Sequence, residues 1–245
     1  MKIESPRTFA DLVGFRPEAT EGHEQETHGT TVLALRYDQG VLMLADRRAT
    51  MGNLIMYDQA EKVMPLDDAS LVAISGSFAR SIEVCRMLKH SFKYYKRMFL
   101  SEMSQEGKLQ EISRALAGNL PAAMQGIGVF LPILATYDPG TERFSLYFFD
   151  TAGARFEHPE YATAGSGSER IRGIFEYLSR TKGSFAGRQL KDVLGDGLHM
   201  LDIAADLDSA TGGFLKVPPC AWTLTASGVQ PLELDAKTLA PYRAS

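Results

Sequence analysis

The sequence predicts an α+β protein built as a four-layer αββα sandwich, two stacked sheets with a helix pair on each outer face. Three observations carry this. Stretches of strand and helix periodicity follow the order hairpins, two helices, strands, two helices, strands. The helices come in consecutive pairs, unlike the βαβ alternation of a doubly wound parallel sheet. The chain has 245 residues, 44% of them hydrophobic, enough for one domain with a sizeable core.

Taken in order, residues 1–29 stand apart, with six acidic residues, three basic residues, two prolines and no sustained apolar period. Composition alone favours a loosely held leader or flexible tail. The chain carries a net charge of −4 with it and −1 without it. Strand character begins at Thr30. TTVLALRY, the turn DQG and VLMLAD read as a hairpin over residues 31–46, and 62–66 with 70–75 as a second across DDA. From Ser77 the period lengthens. Phe78, Ile82, Cys85 and Leu88 mark a helix to about Arg97, and Leu109, Ile112, Leu116, Leu120 and Met124 mark another, with Pro121 expected to bend or break it. Strands LPILATYD and RFSLYFFD flank the turn DPGTE. A helix then carries Ile171, Ile174, Phe175 and Leu178, and one from about Gly187 to Ala205 carries Leu190, Val193, Leu194, Leu198 and Leu201. Strands AWTLTAS and VQPLEL close the chain around Gly228.

Several functional classes are disfavoured. No apolar run approaches the ~18–20 residues of a membrane span, and mild acidity without a basic block argues against nucleic acid. Cys85 and Cys220 cannot make a disulfide framework or a four-ligand zinc site by themselves. With no signal-peptide build at the N-terminus, a cytoplasmic location is expected.

Three features could carry chemistry. In His28-Gly29-Thr30-Thr31, a cut before Thr30 would free an α-amine on the residue that bears the hydroxyl, and that amine, with a reference pKa of about 7.7–8.0, could serve as its base. The small Gly29 would let the peptide bend so that the hydroxyl reaches its carbonyl. Asp46 and Lys62 follow at intervals of 16 residues, at strand ends that could meet; a lysine beside the hydroxyl would stabilise a developing alkoxide. The polar turns Gly165–Ser168 and Asp208–Gly213 match no phosphate-loop pattern. Each feature alone has an ordinary explanation: a strand start, a surface ion pair, a helix start and a helix end.

Together they resemble the proteasome β-subunit of the 20S core particle. HGTTVLAL, ADRRAT with GN close behind, EKV, ISGS, GSGS before a helix and DLDSATGG occur in that order between residues 28 and 213. GNLPAAMQG followed by LPILATYD looks like the actinobacterial type. The resemblance implies the N-terminal-nucleophile hydrolase fold, a 1–29 propeptide removed by self-cleavage at Gly29-Thr30, and a threonine-peptidase domain over 30–245. It implies Thr30 as nucleophile and amine base, Asp46 and Lys62 as the pair that tunes it, and Ser166, Asp208 and Thr211 as the group that hydrogen-bonds the new N-terminus. Gly76 matches the oxyanion-hole glycine. Ala49, Ala60, Met64 and Ile74 match the specificity pocket, uncharged and so suited to apolar residues at the cut, and Thr50 matches a residue that bonds the substrate backbone.

No metal or organic cofactor is implied. The implied partners are α-subunits, further β-subunits in seven-membered rings, a ring ATPase acting through the α ring, and unfolded protein substrates. Leu207 and Thr211 depart from the Arg and Ser common in the family; Thr211 keeps the hydroxyl, whereas Leu207 lacks the charge for contacts between rings. The competing readings are a non-catalytic ring subunit, the two-ring bacterial peptidase, and a small-molecule amidase on the same fold. Asp46-Arg47-Arg48 in place of acid-Gly-Gln, and the Thr211-Gly212-Gly213 turn, disfavour the two-ring peptidase.

Overall fold

A computed structural model describes residues 29–52, 54–214 and 217–242. The leader reading over residues 1–28, and Asn53 of the GN pair, lie outside the described residues.

Residues of the first predicted hairpin form β1 (Val32–Tyr37) and β2 (Gly40–Ala45), antiparallel with Val32 opposite Ala45. They are central strands of a five-stranded sheet, completed by β10 (Tyr161–Ala164) on one side and by β11 (Cys220–Thr225) and β12 (Gly228–Pro231) on the other. The second sheet runs in sequence order through β5 (Val63–Asp67), β6 (Ser70–Ala73), β7 (Ile133–Asp138), β8 (Arg143–Phe149) and β9 (Arg155–His158). Between β2 and β5 lies a two-stranded ribbon, β3 (Ala49–Met51) with β4 (Leu54–Tyr57), which the sequence reading did not anticipate. The reason is plain in β4: all four of its residues are exposed, so it has no apolar alternation to read.

Three apolar layers separate four structural ones. Val32, Ala34, Val41 and Met43 meet Leu71, Ala73, Ile133 and Leu146 between the sheets. Because side chains alternate along a strand, Leu33, Leu35, Leu42 and Leu44 point the other way, to Phe175, Leu198 and Leu201. Those belong to α3 (Ser168–Lys182) and α4 (Leu190–Leu207), named after α1 (Phe78–Phe99) and α2 (Gln105–Met124) on the opposite face. There Val72, Ile74, Leu134 and Phe149 pack on Val84, Leu88, Ile112 and Leu116. Each such fully buried side chain contributes about 1.5–3 kcal/mol relative to exposure. The four-layer αββα sandwich of the N-terminal-nucleophile hydrolase fold is therefore the architecture observed. A short α5 (Ala236–Leu239) follows the last strand.

Two details refine the helix reading. Pro121 does not break α2, which continues to Met124; Pro121 lacks the N–H that the Ala117 carbonyl would accept, and the helix ends within a turn of that loss. Gly197 of α4 faces β2 so closely that an added Cβ would stand 2.6 Å from Leu44 Cδ1, so a glycine sets the approach of helix to sheet. Lys108 of α2 is buried, with Nζ 2.7 Å from Asp67 Oδ2 and 3.0 Å from Ser70 Oγ, tying the helix to the β5–β6 turn. Cys85 and Cys220 are both buried and free.

Candidate active site

The β1–β2 register decides where the site begins. Pairing Val32 with Ala45 carries Thr31 alongside Asp46, the first residue beyond β2, and Thr31 N–H donates to Asp46 Oδ1 at 2.8 Å. Lys62, just ahead of β5, donates to the same oxygen at 2.7 Å and to the Arg48 carbonyl at 2.6 Å. Asp46 Oδ2 accepts from the backbone N–H groups of Arg48 (3.0 Å) and Gly212 (2.9 Å). The Lys62 and Asp46 side chains are 2% and 0% exposed, so this is a buried ion pair whose carboxylate is saturated by four donors. Burial pulls the Lys62 ammonium below the usual lysine range, and the attraction and hydrogen bond of Asp46 only partly restore it.

Thr30 immediately precedes Thr31, whose N–H binds this pair, and is 5% exposed. Its hydroxyl donates to the carbonyl oxygen of Gly29, the residue before it, at 2.6 Å. Its N–H donates to Ser166 Oγ at 3.4 Å, and the Gly29 N–H donates to Thr50 Oγ1 at 3.2 Å. Gly165 makes this possible. It sits at φ 97°, a region costly for side-chain-bearing residues, and an added Cβ would fall 1.9 Å from the Thr30 carbonyl oxygen.

Behind Ser166 stands a chain of hydroxyls. Ser166 Oγ donates to Asp208 Oδ2 at 2.5 Å and Thr211 Oγ1 donates to the same oxygen at 2.6 Å. Thr211 Oγ1 also lies 2.7 Å from Thr31 Oγ1. Asp208 caps the end of α4, which turns its carboxylate back over the Asp208–Gly213 loop. Burial alone would raise the Asp208 pKa, but hydrogen bonds from Ser166, Thr211 and the Ala210 N–H, with Arg170 nearby, hold it below the usual aspartate value.

The structure thus brings Thr30, Asp46, Lys62, Ser166, Asp208 and Thr211 into one bonded array, and Thr50 joins it through Gly29. Gly76, just beyond β6, bridges to Phe130 and lines a cleft of about 860 Å³ together with Gly165 and Ser166. Ala49, next to Thr50 on β3, and Ala60, Met64 and Ile74 lie outside that cleft. Ala60 and Ile74 are buried, Ala60 N–H donating to Arg47 O and Ile74 N–H to Lys62 O, while Ala49 and Met64 are half-buried; none of the four lines that cleft.

Sequence reasoning missed Thr31, Arg48 and Gly212, which hold Asp46 through backbone N–H groups or Lys62 through a carbonyl. Any residue type supplies those groups, so the only available signal was the paired glycines at 212 and 213. Chemically, the array offers a buried hydroxyl against a carbonyl, a cation–anion pair beside it and a polar relay on the amine side, the components of nucleophilic acyl transfer. Among the described residues no three or more His, Cys, Asp or Glu side chains gather as a metal site, and no helix is long and apolar enough to cross a membrane.

Comparison with known proteins finds relatives of the chain as a whole. Residues 26–217 match the family described as proteasome subunit. A relative described as proteasome subunit beta, from Streptosporangium roseum, is 34% identical over 234 residues, an alignment spanning 90% of this chain and 81% of the relative.

Proposed function

The chain belongs to the proteasome subunit family, and on that premise we propose that it is a catalytic β-subunit, an N-terminal threonine endopeptidase synthesised as a zymogen. Residues 1–29 are its propeptide and residues 30–245 the peptidase domain. The observation that carries the reading is the Thr30 hydroxyl held 2.6 Å from the Gly29 carbonyl oxygen beside a buried Lys62–Asp46 pair.

In maturation, Thr30 Oγ adds to the Gly29 carbonyl carbon and the Gly29–Thr30 C–N bond breaks. The acyl group is left as an ester on Oγ, with a free α-amine on Thr30. Water cleaves the ester and releases the propeptide. Gly76 N–H is the donor suited to the transient oxyanion, and one such donor typically contributes about 10²–10³ in rate. In turnover, the freed amine, hydrogen-bonded to Ser166, takes the hydroxyl proton as Thr30 attacks a substrate peptide bond. Lys62 stabilises the charge on Oγ, and Asp46 holds Lys62. No cofactor enters either step.

Thr50, which accepts from the Gly29 N–H, is suited to hold the backbone of a substrate on the acyl side of the cut. Uncharged Ala49, Ala60, Met64 and Ile74 favour apolar residues there, by burial. The working assembly is a cytoplasmic chamber of seven-membered β rings capped by α-subunits, fed with unfolded protein by a ring ATPase, in which the sites are hidden from folded proteins.

The test is the intact mass and peptidase activity of the chain co-expressed with its α partner, beside Thr30→Ala. Wild type is expected to begin at Thr30 and cut peptides, and Thr30→Ala to keep all 245 residues and be inactive in intact rings. A full-length wild type, joined by a truncated chain starting at Thr30 that cuts nothing, would overturn the catalytic reading in favour of a structural ring subunit.

A further inference from the structure

The cleft of about 860 Å³ takes its lining from both sheets and includes Ser166, Met124, Leu131, Phe148, Phe156 and His158, with the charged side chains of Glu157, Glu169 and Arg172. The reaction above uses only Gly76, Gly165 and Ser166 of its lining. From the proton balance of that reaction we infer that the rest of the cleft receives the substrate segment on the C-terminal side of the cut, and so selects the leaving half of the peptide. This deepens the peptidase reading and rests on it.

The argument is geometric. As the Oγ–C bond forms, the Thr30 amine takes the hydroxyl proton. As the substrate C–N bond breaks, that proton passes to the departing nitrogen, which must therefore lie within hydrogen-bond reach of the Thr30 nitrogen. That nitrogen donates to Ser166 Oγ at 3.4 Å, and Ser166 lines the cleft. The acyl half runs the other way, because Gly29, which occupies the acyl position in the unprocessed chain, donates to Thr50 on β3. A peptide drawn through the site thus has its first half at the β3 side and its second half directed between the sheets.

The lining suits such a segment. A volume of about 860 Å³ falls in the range of ~300–1,000 Å³ of small-ligand pockets, room for a few residues. Phe148 and Phe156 stack with ring centroids 6.5 Å apart and form an apolar wall. Phe156 is 55% and Met124 77% exposed, so they offer apolar area that an entering side chain would cover. Burial lowers the His158 pKa below the ordinary histidine value, with Arg172 lowering it further against Glu176 and Glu160.

The experiment uses assembled, processed particles and two substrates sharing one acyl half. One ends in a bare aromatic amine. The other continues for five residues past the cut, with Lys-Lys or Glu-Glu at the second and third. Phe156→Glu is expected to raise the Lys-Lys over Glu-Glu ratio of kcat/KM by roughly fivefold and Phe156→Lys to lower it, as for exposed charge pairs. Turnover of the short amide should stay unchanged, which also checks folding; Met124→Lys, at a second exposed residue of the lining, should lower the same ratio. Unchanged ratios in all three variants, with the short amide still cut, would overturn the inference and leave the peptidase reading intact. Failure of the wild-type particle to cut the short amide would overturn both.

Discussion

Lys62 and Asp46, separated by 16 residues of chain, meet at 2.7 Å in a pocket from which water is excluded on both sides. Each neutralises a charge that would otherwise be stranded. Removing one partner alone from such a pair typically costs about 3–5 kcal/mol, because the other is left buried and unpaired. Asp46→Asn and Lys62→Met should therefore each lower the melting temperature markedly and stop processing. The double variant Asp46→Asn/Lys62→Met should recover most of the stability and none of the processing. Thermal unfolding and intact mass on the same samples check both halves.

At Gly165 the expected outcome is different. Gly165→Ala places a Cβ 1.9 Å from the Thr30 carbonyl oxygen at a backbone angle of φ 97°. Strain of this kind costs on the order of 1–3 kcal/mol, and relief requires Thr30 to move. Processing should slow by at least tenfold even where circular dichroism reports a folded chain. A processing rate equal to wild type would mean that Thr30 tolerates displacement.

The hydroxyl relay makes a prediction about acid. Hydrogen bonds to Asp208 outweigh the opposing effect of burial and hold its folded pKa below the ordinary value of about 3.9. A carboxylate depressed on folding contributes stability that is present above the unfolded pKa and is lost as pH falls through the lower folded value. Ser166→Ala and Thr211→Val each remove a donor, so the folded pKa of Asp208 should rise and acid unfolding should begin at higher pH. Thr211→Ser, which keeps the hydroxyl, should leave the midpoint in place. A pH series of unfolding curves decides it.

Lys108 offers a contrast away from the site. Lys108→Met deletes the partner of Asp67 and Ser70 in the α2 face and should cost roughly 1–3 kcal/mol. Thermal unfolding should report the loss, while the fraction processed in the folded protein should match wild type. A processing defect would reveal coupling between α2 and the Thr30 array.

Periodicity exposed the layers because most elements bury one face: the alternation of Val32 and Ala34 against Leu33 and Leu35 is visible in one line of sequence. It missed the β3–β4 ribbon, β9, whose Arg155–His158 carries no fully buried residue, and the four-residue β10, which runs straight into the Gly165–Ser168 turn. Thr30, Asp46 and Lys62 were legible as polar residues at strand ends that could meet, and only the resemblance to the proteasome β-subunit gave them roles. The cleft was not, since Met124, Phe148 and Phe156 come from a helix and two strands that approach only in the finished fold. Backbone donors such as the Thr31 and Arg48 N–H groups leave no trace in residue identity.

Thr31 and Thr211 share a hydrogen bond across 180 residues of chain, and Gly212 reaches back to Asp46 across 166. The array around Thr30 is thus closed by residues that leave the ribosome long after Thr30 itself. At about 5–20 residues per second, on the order of ten to thirty seconds pass between the emergence of Thr30 and that of its last partners. A nascent chain spends that interval with its hydroxyl made but unsupported. Translation itself imposes the first delay on the chemistry.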